Sequence, residues 1–224
     1  MIYKTLKRVI MIIAISHQKG GVGKSTIAWN LALALQKKYD VELVDLDIQK
    51  TLTYTNEIRK NQTKYNPLKI KTFQSAENLK RYINSDSDEK LSIIDLGGFD
   101  STMNRIAIIT ADLVVTPVSD KSFELLGLKS FEGILSQLNK LIEGDLKVKV
   151  LLNNINPQKS KLGKLKTFIE KSKHFELLDT VLRTRVDYDK SAGAGKSVME
   201  YKKDSKAASE IKALVKEVKK ILDI

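Results

Sequence analysis

Three glycines and two lysines stand together in residues 19–26, between an apolar run and a stretch of helical periodicity. This predicts a phosphate-binding loop, because glycines let consecutive backbone N–H groups surround a polyphosphate and a helix N-terminus adds positive partial charge. Lys24 occupies the usual lysine position, Ser25 offers a hydroxyl to Mg²⁺, and Lys19 is an additional lysine. The general pattern has glycine where this chain has Gln18, so the loop is a variant. The expected phosphate-binding residues are Lys19, Gly20, Gly21, Val22, Gly23, Lys24, Ser25 and Thr26.

Acidic residues follow two later apolar runs. Asp45 and Asp47 come after the second run, and Asp95 ends the third, just before Gly97 and Gly98. Phosphoryl transfer needs water, metal and charge to be positioned more than it needs covalent help, and these carboxylates suit that task. Standing alone, Asp45 and Asp47 would also fit a strand end and a turn cap.

Residues 18–26 resemble the deviant Walker A loop of the ParA/MinD group of ATPases. The resemblance implies ATP and Mg²⁺ as cofactors, and a homodimer in which Lys19 reaches across the interface to the partner's nucleotide. It also implies that Asp47 orients the attacking water, so that Lys19, Lys24 and Asp47 are the catalytic residues. Ile48 replaces a proline that the family usually has at this turn. The implied metal-site residues are Ser25, Asp45 and Asp95.

The strand that ends at Asp95 resembles the Walker B strand of the same group. The resemblance implies that Asp95 holds Mg²⁺ through its water shell and that the N–H of Gly97 or Gly98 senses the γ-phosphate. Asp100 is interpreted as a cap of the next helix. Asn153 has the donor and acceptor needed to read an adenine edge, but a turn-forming asparagine at a strand end fits the pattern as well.

The C-terminal quarter resembles the tail of ParA proteins, including the small ParF-like members, whose basic residues meet DNA phosphates. Such contacts give salt-dependent and sequence-independent binding. The net charge of +12 and the pI near 9.6 also favour acidic partners, although lysine-rich solvated helices can reflect genome composition. The candidate DNA-binding residues are Arg183, Arg185, Lys196, Lys202, Lys203 and Lys206.

The final helix carries an apolar stripe at helical spacing, with Ile211, Leu214 and Val218 among its members. MinD relatives end in an amphipathic membrane anchor, but this stripe lacks Phe and Trp and its spacing suits packing on a sheet. We therefore expect core packing and no stable membrane anchor.

The composition limits the class of protein. With 224 residues, 42% of them hydrophobic, the chain can bury one sizeable core, so we expect a single domain over residues 1–224, with residues 1–10 as a possible extension. The absence of cysteine excludes disulfides, cysteine-ligated zinc and iron–sulfur clusters. Residues 1–16 have the pattern of a signal peptide, but cleavage there would remove the strand that positions the loop, which favours a cytoplasmic protein. Association with the nucleoid is what the resemblance to ParA proteins implies.

Strand-like and helical patterns alternate along the chain. This alternation predicts an α/β fold of the phosphate-loop NTPase type, with a mostly parallel, twisted sheet covered by helices on both faces and its ligand at the carboxyl ends of the strands. Residues 56–65 and 84–90 are interpreted as surface loops. The predicted strands are residues 11–16, 41–44, 68–72, 91–95, 113–117 and 148–153, and the predicted helices include residues 25–38, 76–83, 131–142 and 161–172.

The resemblance, which covers nearly the whole chain, implies a ParA-type ATPase for plasmid or chromosome partition. The resemblance implies an ATP-bound dimer that binds DNA non-specifically and is released on hydrolysis, which a ParB-like or ribbon-helix-helix centromere-binding protein stimulates. Two alternatives remain: a MinD-like membrane-associated positioning ATPase, and a nucleotide-dependent small-molecule ligase of related fold, such as the dethiobiotin synthetase group.

Overall fold

Parallel strands and covering helices make up the computed structural model, which describes residues 10–85, 90–121, 124–142, 144–158 and 163–224. The strands are β1 (Ile10–Ile15), β2 (Val41–Asp45), β3 (Lys69–Lys71), β4 (Lys90–Asp95), β5 (Leu113–Val118), β6 (Val148–Ile155) and β7 (Phe175–Arg183). The helices are α1 (Lys24–Leu35), α2 (Thr51–Gln62), α3 (Ala76–Ile83), α4 (Thr102–Thr110), α5 (Glu124–Ile142), α6 (Gly163–Lys171), α7 (Val186–Gly193), α8 (Val198–Tyr201) and α9 (Lys206–Leu222).

The strands form one sheet in the order β3-β2-β4-β1-β5-β6-β7, and every pairing between the described strands is parallel. The register aligns Asp95 at the end of β4 with Ile15 of β1 on one side and with Asp45 of β2 on the other. The two aspartates and the start of the phosphate loop therefore meet at the carboxyl edge of the sheet, as the sequence predicts.

Apolar side chains fill both faces of the sheet. One face packs α1 and α9 through residues such as Trp29, Leu31 and Leu214. The other packs α3, α4, α5 and α6 through residues such as Ile108 and Phe131. Burial on both faces explains why the central strands are nearly continuous apolar runs, and it confirms the predicted fold class.

The apolar stripe of α9 lies against the core. Ile211, Leu214 and Val218 are fully buried, and Val215 and Leu222 pack beside them. The packing interpretation of the final helix is therefore confirmed. Among the described helices, none has the length and apolar content needed to cross a bilayer.

Some sequence-based assignments were wrong or incomplete. The segment interpreted as a loop at residues 56–65 is helical as far as Gln62, because α2 buries Leu52, Thr55 and Arg59 at helical spacing although two of these are polar. The helix predicted at residues 131–142 begins at Glu124. The strand β7 and the helices α7 and α8 were not predicted. Within the loop assigned to residues 84–90, residues 86–89 lie outside the described residues.

Candidate nucleotide-binding site

The phosphate loop runs from the end of β1 to the first turn of α1. Gly21 and Gly23 have φ values of 74° and 94°, a left-handed conformation that glycine adopts without the steric cost of a side chain. A Cβ atom on Gly23 would lie 2.4 Å from the side-chain nitrogen of Asn153, so this position also has no room for one. Gly21 and Gly23 are therefore required by the shape of the loop in this chain.

The two lysines of the loop have different surroundings. Lys24 is 4% exposed and its Nζ donates a hydrogen bond to the carbonyl of Lys19 at 3.1 Å. Burial lowers the pKa of Lys24, while the negative charges of Asp95 and Asp47 oppose that shift. The side chain of Lys19 is 42% exposed, and its Nζ lies 3.0 Å from Oε1 of Glu124. Lys24 thus points into the loop of its own chain, whereas Lys19 lies at its rim.

Buried carboxylates stand beside the loop with unsatisfied oxygens. Neither oxygen of Asp95 accepts a hydrogen bond of good geometry from a described residue, and Oδ1 of Asp45 is also without such a partner. Burial raises the pKa of Asp95 to about 7, the nearby Ser25 hydroxyl lowers it, and the charge of Asp45 raises it. The two buried carboxylates repel each other, and their vacant oxygens lie beside the Ser25 hydroxyl. A divalent cation bound there would reduce the repulsion and use the vacant oxygens as ligands.

Asp45 also has a structural contact. Its Oδ2 accepts hydrogen bonds from the backbone N–H of Thr53 at 3.1 Å and from the Thr53 hydroxyl at 2.8 Å, which ties the end of β2 to the first turn of α2. Asp45 therefore does cap a turn, as its position at a strand end also suggests. Only its Oδ2 takes part, so Oδ1 is left for a ligand. Among the described residues, no group of three or more His, Asp or Glu side chains is arranged to hold a metal ion by itself.

Asp47 is half-buried at the start of an exposed turn between β2 and α2. Its Oδ1 accepts from the backbone N–H of Gln49 at 3.0 Å, and its carbonyl accepts from that of Lys50, also at 3.0 Å. Lys50 has a φ of 48°, so the turn is tight. Ile48, which stands where proline is usual, is 74% exposed. The turn therefore forms without proline and fixes the Asp47 side chain on the loop side of the sheet.

The loop after β4 packs directly on the phosphate loop. A Cβ on Gly98 would lie 3.0 Å from the backbone nitrogen of Gly20, so a side chain there would crowd the backbone of the phosphate loop. Asn104 of α4 braces this loop, because its side-chain nitrogen donates to the carbonyls of Gly97 at 3.1 Å and Phe99 at 2.5 Å. The placement of Gly98 is compatible with its predicted γ-phosphate contact, which stays a prediction.

Two assignments near this loop need comment. The side-chain nitrogen of Asn153 donates to the carbonyl of Val22 at 2.7 Å, so it supports the phosphate loop, and its adenine contact stays a prediction. The interpretation of Asp100 as a helix cap was wrong. Ser101 is the residue that caps α4, whereas Asp100 pairs with Arg105.

The candidate DNA-binding residues divide into engaged and exposed groups. Arg185 pairs with Glu210 at 2.8 Å, and Arg183 donates to the carbonyl of Asn156 at 3.2 Å, so both guanidinium groups have intrachain contacts. Lys196 is half-buried. The exposed residues lie between α8 and the first turn of α9, namely Lys202, Lys203 and Lys206.

Two buried residues of the site carry no local sequence signal. Glu124 is 3% exposed and contacts Lys19, which lies 105 positions earlier. His17 is fully buried, its Nδ1 accepts from the backbone N–H of Lys19 at 3.0 Å, and burial lowers its pKa to about 4. His17 follows β1 and Glu124 follows β5, and the pairing of these two strands brings the side chains together. Periodicity and motif spacing could therefore not reveal them.

The family model for the CobQ/CobB/MinD/ParA nucleotide binding domain matches residues 13–198. Protein ParA of Rhizobium radiobacter is 27% identical over 151 residues, which are 65% of each chain. The chain spans 65% of the length of that ParA protein and 18% of the length of a second relative that it matches.

Solved structures share the fold at low sequence identity. The ATP complex of a Cyanothece McdA variant has a TM-score of 0.75 and 17% identity, covering 97% of this chain and 98% of that one. A proposed plasmid partition protein of Borrelia burgdorferi B31 bound to AMPPNP has a TM-score of 0.69 and 18% identity, covering 94% and 98%. Both neighbours were crystallised with an adenine nucleotide or its analogue, and their likeness to this chain is one of fold.

Proposed function

Because the chain belongs to the CobQ/CobB/MinD/ParA family of nucleotide-binding domains, we propose that it is a Mg²⁺-dependent ATPase of the partition type. The observation that carries the proposal is the pair of differently placed lysines on one phosphate loop. Lys24 contacts the loop of its own chain, and Lys19 lies at the rim of that loop. Beside the loop are buried carboxylates whose oxygens include some that accept no hydrogen bond from a described residue. One lysine can thus serve the chain's own nucleotide while the other reaches a second copy's.

Nucleotide and metal would bind at the carboxyl edge of the sheet. Backbone N–H groups of the loop would hold the phosphates of ATP, with Lys24 as their buried counter-charge. Ser25 and Asp95 would hold Mg²⁺, with Asp45 nearby, and the unsatisfied oxygens of both aspartates support this fit. When bound, the ion neutralises charge that develops on the phosphates.

Asp47 would orient the water that attacks the γ-phosphorus, giving ADP and inorganic phosphate. The turn that contains Asp47 holds it at the edge of the site, where its charge already acts on Lys24. Such positioning suits phosphoryl transfer, in which the protein aligns the reactants and stabilises charge.

The ATP state would be a homodimer around two nucleotides, and it would bind DNA without sequence preference. The exposed cluster of Lys202, Lys203 and Lys206 offers three charges per chain and six per dimer. Neutralising about three to five phosphates per chain implies a log–log salt slope of roughly −5 to −9 for the dimer. Hydrolysis, stimulated by a ParB-like or ribbon-helix-helix partner, would release the DNA.

DNA binding by the nucleotide-bound chain tests this function. Binding to a plasmid fragment is measured by filter retention at several salt concentrations, with ATP, with ADP and without nucleotide. We expect ATP-dependent binding that weakens steeply with salt. Replacing Lys202, Lys203 and Lys206 together by Ala flattens the slope by up to about 5, because six phosphate contacts per dimer are lost.

A matched triple variant controls for loss of charge. Lys80, Lys140 and Lys173 are also exposed, and Lys80 and Lys140 lie on α3 and α5, which cover the opposite face of the sheet from α9. Their replacement by Ala removes the same charge and should leave the slope unchanged. Equal slopes for both triple variants would place the DNA surface elsewhere. Failure of the parent chain to bind DNA with ATP at low salt, together with binding to anionic vesicles, would favour a membrane-associated role.

A further inference from the structure

Glu124 is a buried carboxylate with a single cationic partner among the described residues. Its side chain is 4% exposed, its Oε1 lies 3.0 Å from Nζ of Lys19, and its Oε2 accepts no hydrogen bond from a described residue. His17 is a second titratable group near it among the described residues, with Nε2 4.0 Å from Oε2. Lys19 therefore provides most of the charge compensation for this carboxylate.

The fold fixes Glu124 in place. It is the first residue of α5, and its backbone N–H donates to the carbonyl of Lys121 at 3.0 Å. The α5 helix is anchored in the core by Leu128 and Phe131, both fully buried. The carboxylate thus belongs to a rigid element, whereas the lysine that it contacts extends from a loop and is half exposed.

We infer that Glu124 is a positioning residue that holds Lys19 against its own chain and opposes its transfer to the nucleotide of a second copy. This inference rests on the proposed function, in which Lys19 serves that second nucleotide. Removing the partner of a buried charge leaves the charge uncompensated, which is costly. When no second copy with bound ATP is present, the ion pair between Lys19 and Glu124 therefore persists.

His17 cannot take over from Lys19 at neutral pH. Burial and the positive charges of Lys24 and Lys19 lower the pKa of His17, whereas Glu124 raises it, and the result of about 4 keeps the imidazole neutral. Departure of Lys19 consequently depends on the negative charge of the second copy's nucleotide. Because the ion pair must break before Lys19 can reach the second nucleotide, it raises the ATP concentration at which dimers form.

A charge-neutral replacement tests the inference. Glu124→Gln keeps the shape of the side chain and removes the charge that holds Lys19. We expect the ATP concentration at half-maximal dimerisation, measured by light scattering after size exclusion, to fall at least about fivefold, the factor that corresponds to a modest ion pair. A chain without Lys19 is expected to stay monomeric with ATP, so in a Lys19→Gln background the same change should not restore dimers.

A second measurement needs neither ATP nor a dimer. Competitive acetylation of the nucleotide-free chain, read by peptide mass spectrometry, reports the reactivity of each lysine. Lys19 should react several-fold faster in Glu124→Gln, with Lys24 unchanged as the internal reference. Unchanged Lys19 reactivity would overturn the inference, as would ATP-dependent dimers of the Glu124→Gln, Lys19→Gln double variant, because Glu124 would then act without Lys19.

The two measurements separate the inference from the function on which it rests. If Lys19 is freed in Glu124→Gln but the parent chain never dimerises with ATP, the proposed function fails and the intrachain contact stands. If the parent dimerises and Glu124→Gln dimerises at the same or a higher ATP concentration, the opposing role of Glu124 is wrong while the proposed function stands.

Discussion

The ion pair between Arg59 and Glu200 joins α2 to the C-terminal segment, and we expect its removal to be strongly destabilising. Arg59 is 2% exposed, and its two terminal nitrogens each lie 2.9 Å from a different carboxylate oxygen of Glu200. Arg59 also donates to the carbonyls of Asn66 at 2.6 Å and Gly195 at 3.0 Å. Among the described residues, Glu200 is the one carboxylate that pairs with this guanidinium.

The magnitude follows from burial. Glu200→Ala leaves the Arg59 guanidinium buried with carbonyl acceptors only, and breaking a buried pair from one side costs about 3–5 kcal/mol. Glu200 also closes the capping box of α8 through Ser197, and loss of a cap costs about 1 kcal/mol. We therefore expect the free energy of unfolding to fall by about 4–6 kcal/mol.

Glu77 provides the matched control. It pairs with Arg81 one turn along α3, but the two side chains are 72% and 73% exposed. Exposed pairs of this spacing contribute about 0.3–0.5 kcal/mol, so Glu77→Ala should cost less than about 1 kcal/mol. Both variants remove one glutamate that pairs with an arginine, and they differ in burial.

Denaturant unfolding of the nucleotide-free chain measures the difference. Trp29 is the only tryptophan, it is 1% exposed, and its Nε1 donates to the carbonyl of Lys196, so its fluorescence reports on the same region. Circular dichroism should give the same midpoints if the transition is two-state. A loss for Glu200→Ala within about 1 kcal/mol of that for Glu77→Ala would refute the reasoning.

The pH dependence has a definite sign. Burial raises the pKa of Glu200, but the hydrogen bonds from Arg59 and Ser197 outweigh it and hold the pKa below its ordinary value of 4.5. A carboxyl with a lowered folded-state pKa stabilises the fold above its unfolded-state pKa, and that contribution disappears as the pH falls through the folded-state value. The stability difference between parent and Glu200→Ala should therefore narrow below pH 4.5.

Two further predictions concern the carboxylates of the site. The raised pKa of Asp95, about 7, means that the folded chain without nucleotide binds this proton more tightly than the unfolded chain, so its stability falls as pH rises toward and through 7. Asp95→Asn should therefore raise the melting temperature without nucleotide at about pH 8 more than at about pH 5, and it should abolish further stabilisation by Mg-ATP; equal shifts at both pH values would contradict the assigned burial cost. Asp47→Ala should slow phosphate release while ATP-bound dimers persist in size exclusion, and full turnover would transfer the water-orienting role to another group.

The sequence was most informative where short-range chemistry determines conformation. The phosphate loop was predictable because glycine and lysine spacing there reflects local backbone geometry, including the positive φ of Gly21 and Gly23. Asp45 and Asp95 were predictable because strand ends of a parallel sheet share one edge, which the register confirms.

Features that depend on distant residues were not predictable. The α2 helix escaped detection because its buried face carries Arg59, whose partner Glu200 lies 141 positions away. A polar stretch without apolar periodicity is typical of a loop unless that partner is known. Glu124 escaped detection for the same reason, since no pattern near it indicates Lys19.

The most direct test of the function assigned to the loop compares its two lysines. ATP binding by fluorescent nucleotide titration and dimerisation by size exclusion with ATP are measured for the parent, Lys24→Ala and Lys19→Ala. We expect Lys24→Ala to lose ATP binding and Lys19→Ala to bind ATP yet remain monomeric, because Lys24 serves its own loop and Lys19 the second copy's nucleotide. A Lys19→Ala variant that dimerises and hydrolyses ATP like the parent would contradict the assignment.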